Sequence, residues 1–235
     1  MKSGKKMGLG YELYQEILSR LGCHQTEFVG SVPGVLAAFS RYQIDVIGPL
    51  SSKLNLSNSV FVDLWSARRK MAIRKNKVTS GINDFKHYLK DPKVIFGALI
   101  AGNFYFTDKE RSLLEAQNRL RSFANTEDLI RALLEGRIDA IIAGDIIFAH
   151  YLNEQREFRQ LHFAEDNEGQ KMTWGFFLSK RRLNALEMKS MVNVLTQMKK
   201  EGVVDRLLRK YTTLQIGRDP NGGTGKGSEV LTTGK

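Results

Sequence analysis

Two stretches of this chain, ninety-four residues apart, carry the same local instruction. The first is Leu36-Ala37-Ala38-Phe39-Ser40-Arg41-Tyr42-Gln43-Ile44-Asp45-Val46-Ile47. The second is Arg131-Ala132-Leu133-Leu134-Glu135-Gly136-Arg137-Ile138-Asp139-Ala140-Ile141-Ile142. Each reads as a helix that stops, an Ile-Asp step, and a short apolar run fit for a buried strand. One such unit is ordinary α/β grammar. Two of them point to two similar α/β lobes, and two lobes imply a cleft between them.

Length and charge narrow the function classes. With 235 residues the chain has room for one large domain or two lobes. No apolar run approaches the roughly 20 residues of a membrane-spanning helix. The charged start Met1-Lys2-Ser3-Gly4-Lys5-Lys6 is not followed by a signal-type apolar core. That leaves a cytoplasmic protein, or one whose export signal lies outside this sequence. Cys23 is the only cysteine, which excludes an intrachain disulfide, and the four histidines (His24, His87, His150, His162) lack metal-ligand spacing. No metal or cofactor is expected. The net charge of +11 raises a nucleic-acid reading. Its densest positions are Arg68-Arg69-Lys70, Arg74-Lys75, Lys77 and Lys180-Arg181-Arg182. None sits in a basic helix with interleaved aromatics or in a zinc module, so a solvated basic surface is expected and no nucleic-acid partner.

Periodicity supplies the elements. Leu13, Ile17, Leu18 and Leu21 form one face of a helix over residues 10–21, with Gly22 as its stop. Glu27–Gly30 suits a short strand, Pro33-Gly34 precedes a helix ending near Tyr42, and Ile44–Ile47 is the next strand. Ser51–Ser59 reads as a polar loop. A helix starts near Ile82 with Ser80 or Asn83 as cap, Val94–Ile100 is a strand covered on both faces, and a charged helix spans 108–120. Asn125 or Thr126 caps the helix that ends at Gly136, Ile138–Ala143 is a core strand, and a helix continues through Tyr151. Residues 153–171 read as loop and Trp174–Leu178 as strand, and two helices fill about 183–211 with a break at Gly202. The tail from Gly217 to Ser228 has the composition of a flexible linker, yet Glu229-Val230-Leu231-Thr232-Thr233 has strand propensity.

Taken in order, several of these segments resemble the bacterial extracellular solute-binding proteins of the amino-acid type, which have the type 2 periplasmic-binding-protein fold. Gly8-Leu9-Gly10-Tyr11-Glu12-Leu13 is similar to that family's entry into its first helix. Ile44-Asp45-Val46-Ile47 and Gly136-Arg137-Ile138-Asp139-Ala140 match its two helix-to-strand steps. Trp174-Gly175-Phe176-Phe177-Leu178-Ser179-Lys180 with Leu186, Gly202 and Tyr211 resembles its closing strand and C-terminal helices. The similarity covers residues 4–213.

The resemblance implies an α/β, two-lobed, non-enzymatic binder with hinge strands near 67–76 and 171–177. Residues 1–75 would form the first lobe, 76–173 the second, and 174–213 the return to the first. It implies a small solute held between the lobes, anionic or amino-acid-like, a membrane permease as partner, a monomeric state and a periplasmic location. Ser51 and Ser52 would offer hydroxyls from the first lobe, and Asn103, Tyr105 and Asp145 would answer from the second, with Trp65 stacking on a planar portion. The competing expectations are a sensor or degenerate binding domain on the same fold, or an enzyme on that scaffold, a dehydratase or a peptidoglycan lyase, with Asp145 as general acid.

Three departures from the family stand out. Its carboxylate-binding arginine would fall at Ser57, and no arginine lies between Arg41 and Arg68. Its amine-binding aspartate would fall at Gly144, one residue before Asp145, and its Gly-Thr loop is Gly102-Asn103 here. The family's first central strand is also missing ahead of Gly4. Two arrangements account for that: a chain lacking the strand, or a circular permutation in which residues 214–228 are a linker and 229–235 supply it.

Overall fold

The computed structural model describes residues 8–23, 32–82, 84–100, 105–152, 159–166, 169 and 171–212. The expected strands at Glu27–Gly30 and Glu229–Thr233, and the linker before the latter, lie outside the described residues.

Helix α1 (Leu9–Leu21) buries Leu9, Leu13 and Ile17, and Gly22 ends it in the left-handed conformation with its N–H on the Leu18 carbonyl. Helix α2 (Val32–Ser40) takes in Pro33 and Gly34, which were expected to precede it. Proline is tolerated there because the first helical turn has no acceptor for its missing N–H. Strand β1 (Val46–Ser51) runs beyond the expected Ile47, since Leu50 and Ser51 still find partners in Gly175 and Trp174. Strand β2 (Ser59–Ala67) alternates buried Val62 and Leu64 with exposed Asp63.

Strand β3 (Lys70–Arg74) and a short 3-10 turn lead to α3 (Phe85–Lys90). Its cap is Asp84, whose carboxylate accepts the Lys86 N–H at 2.9 Å, and not Ser80. Strand β4 (Phe96–Leu99) is followed by α4 (Asp108–Ala116), four residues shorter than its expected end at 120. The helix stops because Asn118 turns to φ 54°, and Leu120–Phe123 pair with β4 as β5.

Helix α5 (Thr126–Leu134) carries Asn125 as its cap, β6 is Ala140–Ala143, and α6 spans Asp145–Leu152. Leu161–Glu165 is a strand, β7, where a loop was expected; buried Leu161 and Ala164 give it an apolar face and β3 gives it a partner. Strand β8 (Met172–Ser179) and helices α7 (Ala185–Lys200) and α8 (Val203–Thr212) complete the described chain, with Gly202 at φ 70° between the helices.

These elements form two sheets. The first lobe has order β1-β8-β2 with β8 antiparallel to both neighbours, and the second has order β5-β4-β6-β3-β7. Successive residues of the central strands go to opposite cores. Phe176 and Leu178 pack with Leu13, Ile17, Leu195 and Val204, while Phe177 packs with Phe39 and Ile47 on the other face. In the second lobe Met71, Ile73 and Ile142 meet Phe85, Tyr88 and Leu114, whereas Ala72, Ile141 and Ala143 meet Leu129, Leu133 and Phe148. Both sheets are thus covered on two sides, which explains the continuous apolar runs in the sequence.

The chain passes between lobes twice. Arg68-Arg69 joins β2 to β3, and residues 166–171 join β7 to β8. These crossovers run alongside each other, with Ala67 opposite Met172 on one side and Lys70 opposite Glu165 on the other. Helix α6 also lies against α8, and Ile146 packs on the first-lobe core.

Two facts bear on the first-lobe sheet. Among the described residues the outer edge of β1 has no partner strand. The two ends of the described chain meet: the Gly8 N–H donates to the Tyr211 hydroxyl at 3.2 Å, and Glu12 accepts from Lys210 at 2.6 Å and from Tyr211.

Candidate functional site

The C-terminal ends of β1 and β2 and the start of β8 lie together beside the crossovers. There a single row of paired residues crosses the sheet, Ser51 opposite Trp174 and Trp174 opposite Trp65. A register shift between Asp63 and Trp65 makes this row possible. Without it Trp65 would face away from Leu64's neighbours on the core side; the extra residue re-aims it. The two indoles then stack at 6.4 Å and 12°. Such offset stacking contributes roughly 0.5–1.5 kcal/mol beyond area burial.

The second lobe supplies the opposing ring. Tyr105 stands 6.0 Å from Trp174, inclined at 39°. Its hydroxyl lies over Gly144, where an added Cβ would sit 3.3 Å away. Tyr105 therefore bridges from the end of β6 to the first-lobe indole pair. Asp145 is the first residue of α6, next to this contact; its side chain lies outside the described residues, as does Asn103. Ser51 is fully buried, and its hydroxyl accepts the Lys53 N–H at 3.3 Å. Ser52 is exposed, and its N–H donates to the Thr173 carbonyl at 2.9 Å. Ser66 and Thr173 exchange a hydroxyl bond at 3.2 Å.

Of the residues expected from the sequence, the structure thus gathers Ser51, Ser52, Trp65 and Tyr105 around Trp174. From the sequence, Trp174 falls in the closing strand and the second hinge and has no ligand role. The missed signal was its place at the start of that strand, two residues before buried Phe176.

A second group was also missed. Arg69 was expected in a solvated basic surface and is instead 7% exposed. Its guanidinium donates to Asp166 (Nε at 2.9 Å), to Glu110 (2.6 and 3.1 Å) and to the Tyr105 carbonyl (2.8 Å), and lies 4.9 Å above the Phe85 ring. Burial of this arginine is tolerable because two carboxylates and a carbonyl use its planar donor fork. Glu110 also closes the capping box of α4, accepting the Thr107 N–H at 2.7 Å.

Burial pushes the Glu110 carboxyl up, but hydrogen bonds from Arg69 and Thr107 outweigh it and hold the group below its ordinary value of 4.5. A carboxyl depressed in the folded state contributes stability above its unfolded pKa and loses it as pH falls through the folded one. The stability gap between wild type and Glu110→Gln is therefore expected to be full from neutral pH down to the ordinary glutamate range, and to shrink in more acid solution. Urea midpoints of both proteins, taken from about pH 7 to about pH 3, check this. A gap that stays constant on acidification contradicts it.

No family model matches the chain, and no curated protein sequence does. Solved structures do. A putative ABC-transporter binding component from Wolinella succinogenes, complexed with lysine, is similar over 91% of this chain and 89% of its own, at 15% identity and TM-score 0.73. An ancestral arginine-binding protein bound to arginine matches over 90% of both chains, at 18% identity and TM-score 0.71. A histidine kinase sensor domain with similarity to periplasmic binding proteins matches over 91% of this chain and 90% of its own, at 14% identity and TM-score 0.70. These likenesses establish the two-lobed type 2 periplasmic-binding-protein fold.

Proposed function

We propose that the chain binds a small solute between its lobes, without catalysing a reaction on it, and presents the closed form to a membrane permease. One observation carries this reading: the Trp65–Trp174 stack of the first lobe is faced by Tyr105 of the second, beside both crossovers. Three aromatic rings converging from two lobes make a desolvated wall for a planar or apolar portion of a ligand. Exposed Ser52 lies at the same end of the sheet and offers its hydroxyl to a polar portion, next to fully buried Ser51. The lysine and arginine complexes of similar folds place an amino-acid-like solute first among candidates. The absence of an arginine from 42 to 67 argues against recognition through a bidentate α-carboxylate clamp in the first lobe.

The similar sensor domain supports a second setting for the same event, in which the closed state is read by a signalling partner. Either setting requires a protein on the outer face of a membrane, so export is part of the proposal. Among the described residues no helix is long and apolar enough to cross a membrane.

The test uses the chain's own reporters, because both of its tryptophans, Trp65 and Trp174, line the site. A panel of amino acids, polyamines, organic acids and sugars is titrated against intrinsic fluorescence and thermal stability. A binder present at 100 times its Kd stabilises by about 2.7 kcal/mol, which raises Tm by about 5–10 °C for a chain of this size. At least one compound is expected to give both that shift and a saturable fluorescence change. If every compound leaves both signals unchanged, the proposal fails.

A further inference from the structure

We infer that Arg69 is the positioning residue of the cleft: it pins both crossovers to the second lobe and holds Tyr105 against Trp174. Arg69 is the last residue of the first crossover and Asp166 the first of the second. They are joined twice, by the side-chain pair and by the Asp166 N–H donating to the Arg69 carbonyl at 3.2 Å. Every described partner of the guanidinium belongs to the second lobe or its end of the crossovers: Asp166, Glu110 of α4, the Tyr105 carbonyl and the Phe85 ring of α3.

The consequence is mechanical. Lys70 and the rest of β3 are fixed in the second-lobe sheet, so Arg68, and Ala67 at the end of β2, are the nearest residues on the first-lobe side of the clamp. Asp166 is itself 3% exposed, and its carboxylate fills the space where Gly169 would carry a Cβ, 1.9 Å from the oxygen. Gly169 of the second crossover thereby lies against the carboxylate that this arginine holds. Glu110 adds the third side, tying the N-terminal turn of α4 and, through the Thr107 N–H, the segment that carries Tyr105.

A guanidinium is required for this. Its fork meets Asp166 through two nitrogens and Glu110 through two, while a third contact reaches the Tyr105 carbonyl. Lysine offers three donors on one nitrogen at the end of a flexible stem and cannot reproduce five contacts spread over the three nitrogens of a planar fork. The side chain touches none of Trp65, Trp174 or Ser51 in the contacts described, so it acts on the cleft through Tyr105 and the lobe angle. The effect on ligand rests on the cleft reading above; the effect on lobe geometry does not.

The experiment is done without ligand. Cys23 is exposed on the first lobe, and Glu127→Cys, at an exposed position in the first turn of α5, provides a second attachment point on the other. Spin labels at both report the interlobe distance by pulsed EPR, and acrylamide quenching reports how far Tyr105 shields the indoles. Wild type is expected to give one narrow distance distribution. Arg69→Lys and Glu110→Gln are expected to broaden it and raise quenching while the far-UV CD spectrum stays native. Arg137→Met, an exposed arginine of the second lobe, is expected to change neither. Arg69→Met is the most severe variant; should it fail to fold, the two milder variants decide. Native-like distributions and quenching in folded Arg69→Lys and Glu110→Gln overturn the inference. Broadening in a protein whose cleft binds nothing leaves Arg69 as the hinge clamp and defeats only the ligand reading.

Discussion

A Gly175→Val protein is expected to lose the fold of the first lobe. An added Cβ at this position would lie 2.0 Å from the Val62 carbonyl oxygen, 2.8 Å from its carbon and 3.0 Å from the Asp63 Cα. All three are backbone atoms of β2, so no rotamer change relieves the clash. Moving β2 away is no remedy, because β8 is the central strand and Phe176 and Leu178 beside Gly175 anchor the main first-lobe core. Both neighbours are irregular around this glycine, β2 between Asp63 and Trp65 and β1 between Ile47 and Leu50. The absence of a side chain is what allows the two irregularities to close on β8 at one level. A loss exceeding about 4 kcal/mol is expected, at the extreme of single substitutions. Gly202→Ala is the reference: its φ of 70° strains an alanine, but nothing lies within 4 Å of the new Cβ. That change is expected to cost about 1–2 kcal/mol. Thermal unfolding followed by near-UV CD separates the two outcomes. A Gly175→Val protein melting as cooperatively as Gly202→Ala refutes the argument.

The twin Ile-Asp steps were legible as architecture because their apolar flanks are buried by the same rule in each lobe. Their chemistry was not legible. Asp139 is 5% exposed; it accepts the Ile95 N–H at 2.9 Å and pairs with Lys77 at 3.2 Å, fastening β4 beside β6. Asp45 has an exposed carboxylate that meets Arg182 at 2.7 Å, a surface pair of small energetic weight. Identical local words thus receive different long-range partners, and periodicity contains no information about partners 44 or 137 residues away. The same limit hid Arg69, whose neighbours in sequence are two basic residues and whose neighbours in space are two carboxylates. It also hid β5 and β7, because four- and five-residue strands with polar positions resemble loops until their pairing partners are known. Trp65 shows the sharpest case. Alternation along β2 gives the wrong face for it, and only the bulge opposite Gly175 puts its ring on Trp174.

That ring pair leads to the functional experiment with the largest expected effect. Trp174→Ala is expected to weaken binding of any compound that saturates the wild-type cleft by about 10–100-fold, since losing a large apolar contact costs about 1.5–3 kcal/mol. Trp174 meets both Trp65 and Tyr105, so its removal opens the aromatic wall from both lobes at once. Trp65→Ala removes one side only, and part of the wild-type Trp65 surface packs against the first-lobe core rather than facing Tyr105. A smaller loss is expected there. Trp174→Phe restores an aromatic face and is expected to recover most of the affinity. Isothermal titration gives Kd for each variant, and CD establishes that each is folded before its Kd is compared. If folded Trp174→Ala binds as tightly as wild type, the ligand does not lie against the indole pair. The site would then have to be sought away from the row Ser51, Trp174, Trp65. If the order of affinities is wild type, Trp174→Phe, Trp65→Ala, Trp174→Ala, the cleft between the lobes, beside the crossovers, is where solute and lobe closure meet. Closure then follows from differential affinity, because a ligand held by Trp174 and Tyr105 together stabilises only the state in which the two lobes present them face to face.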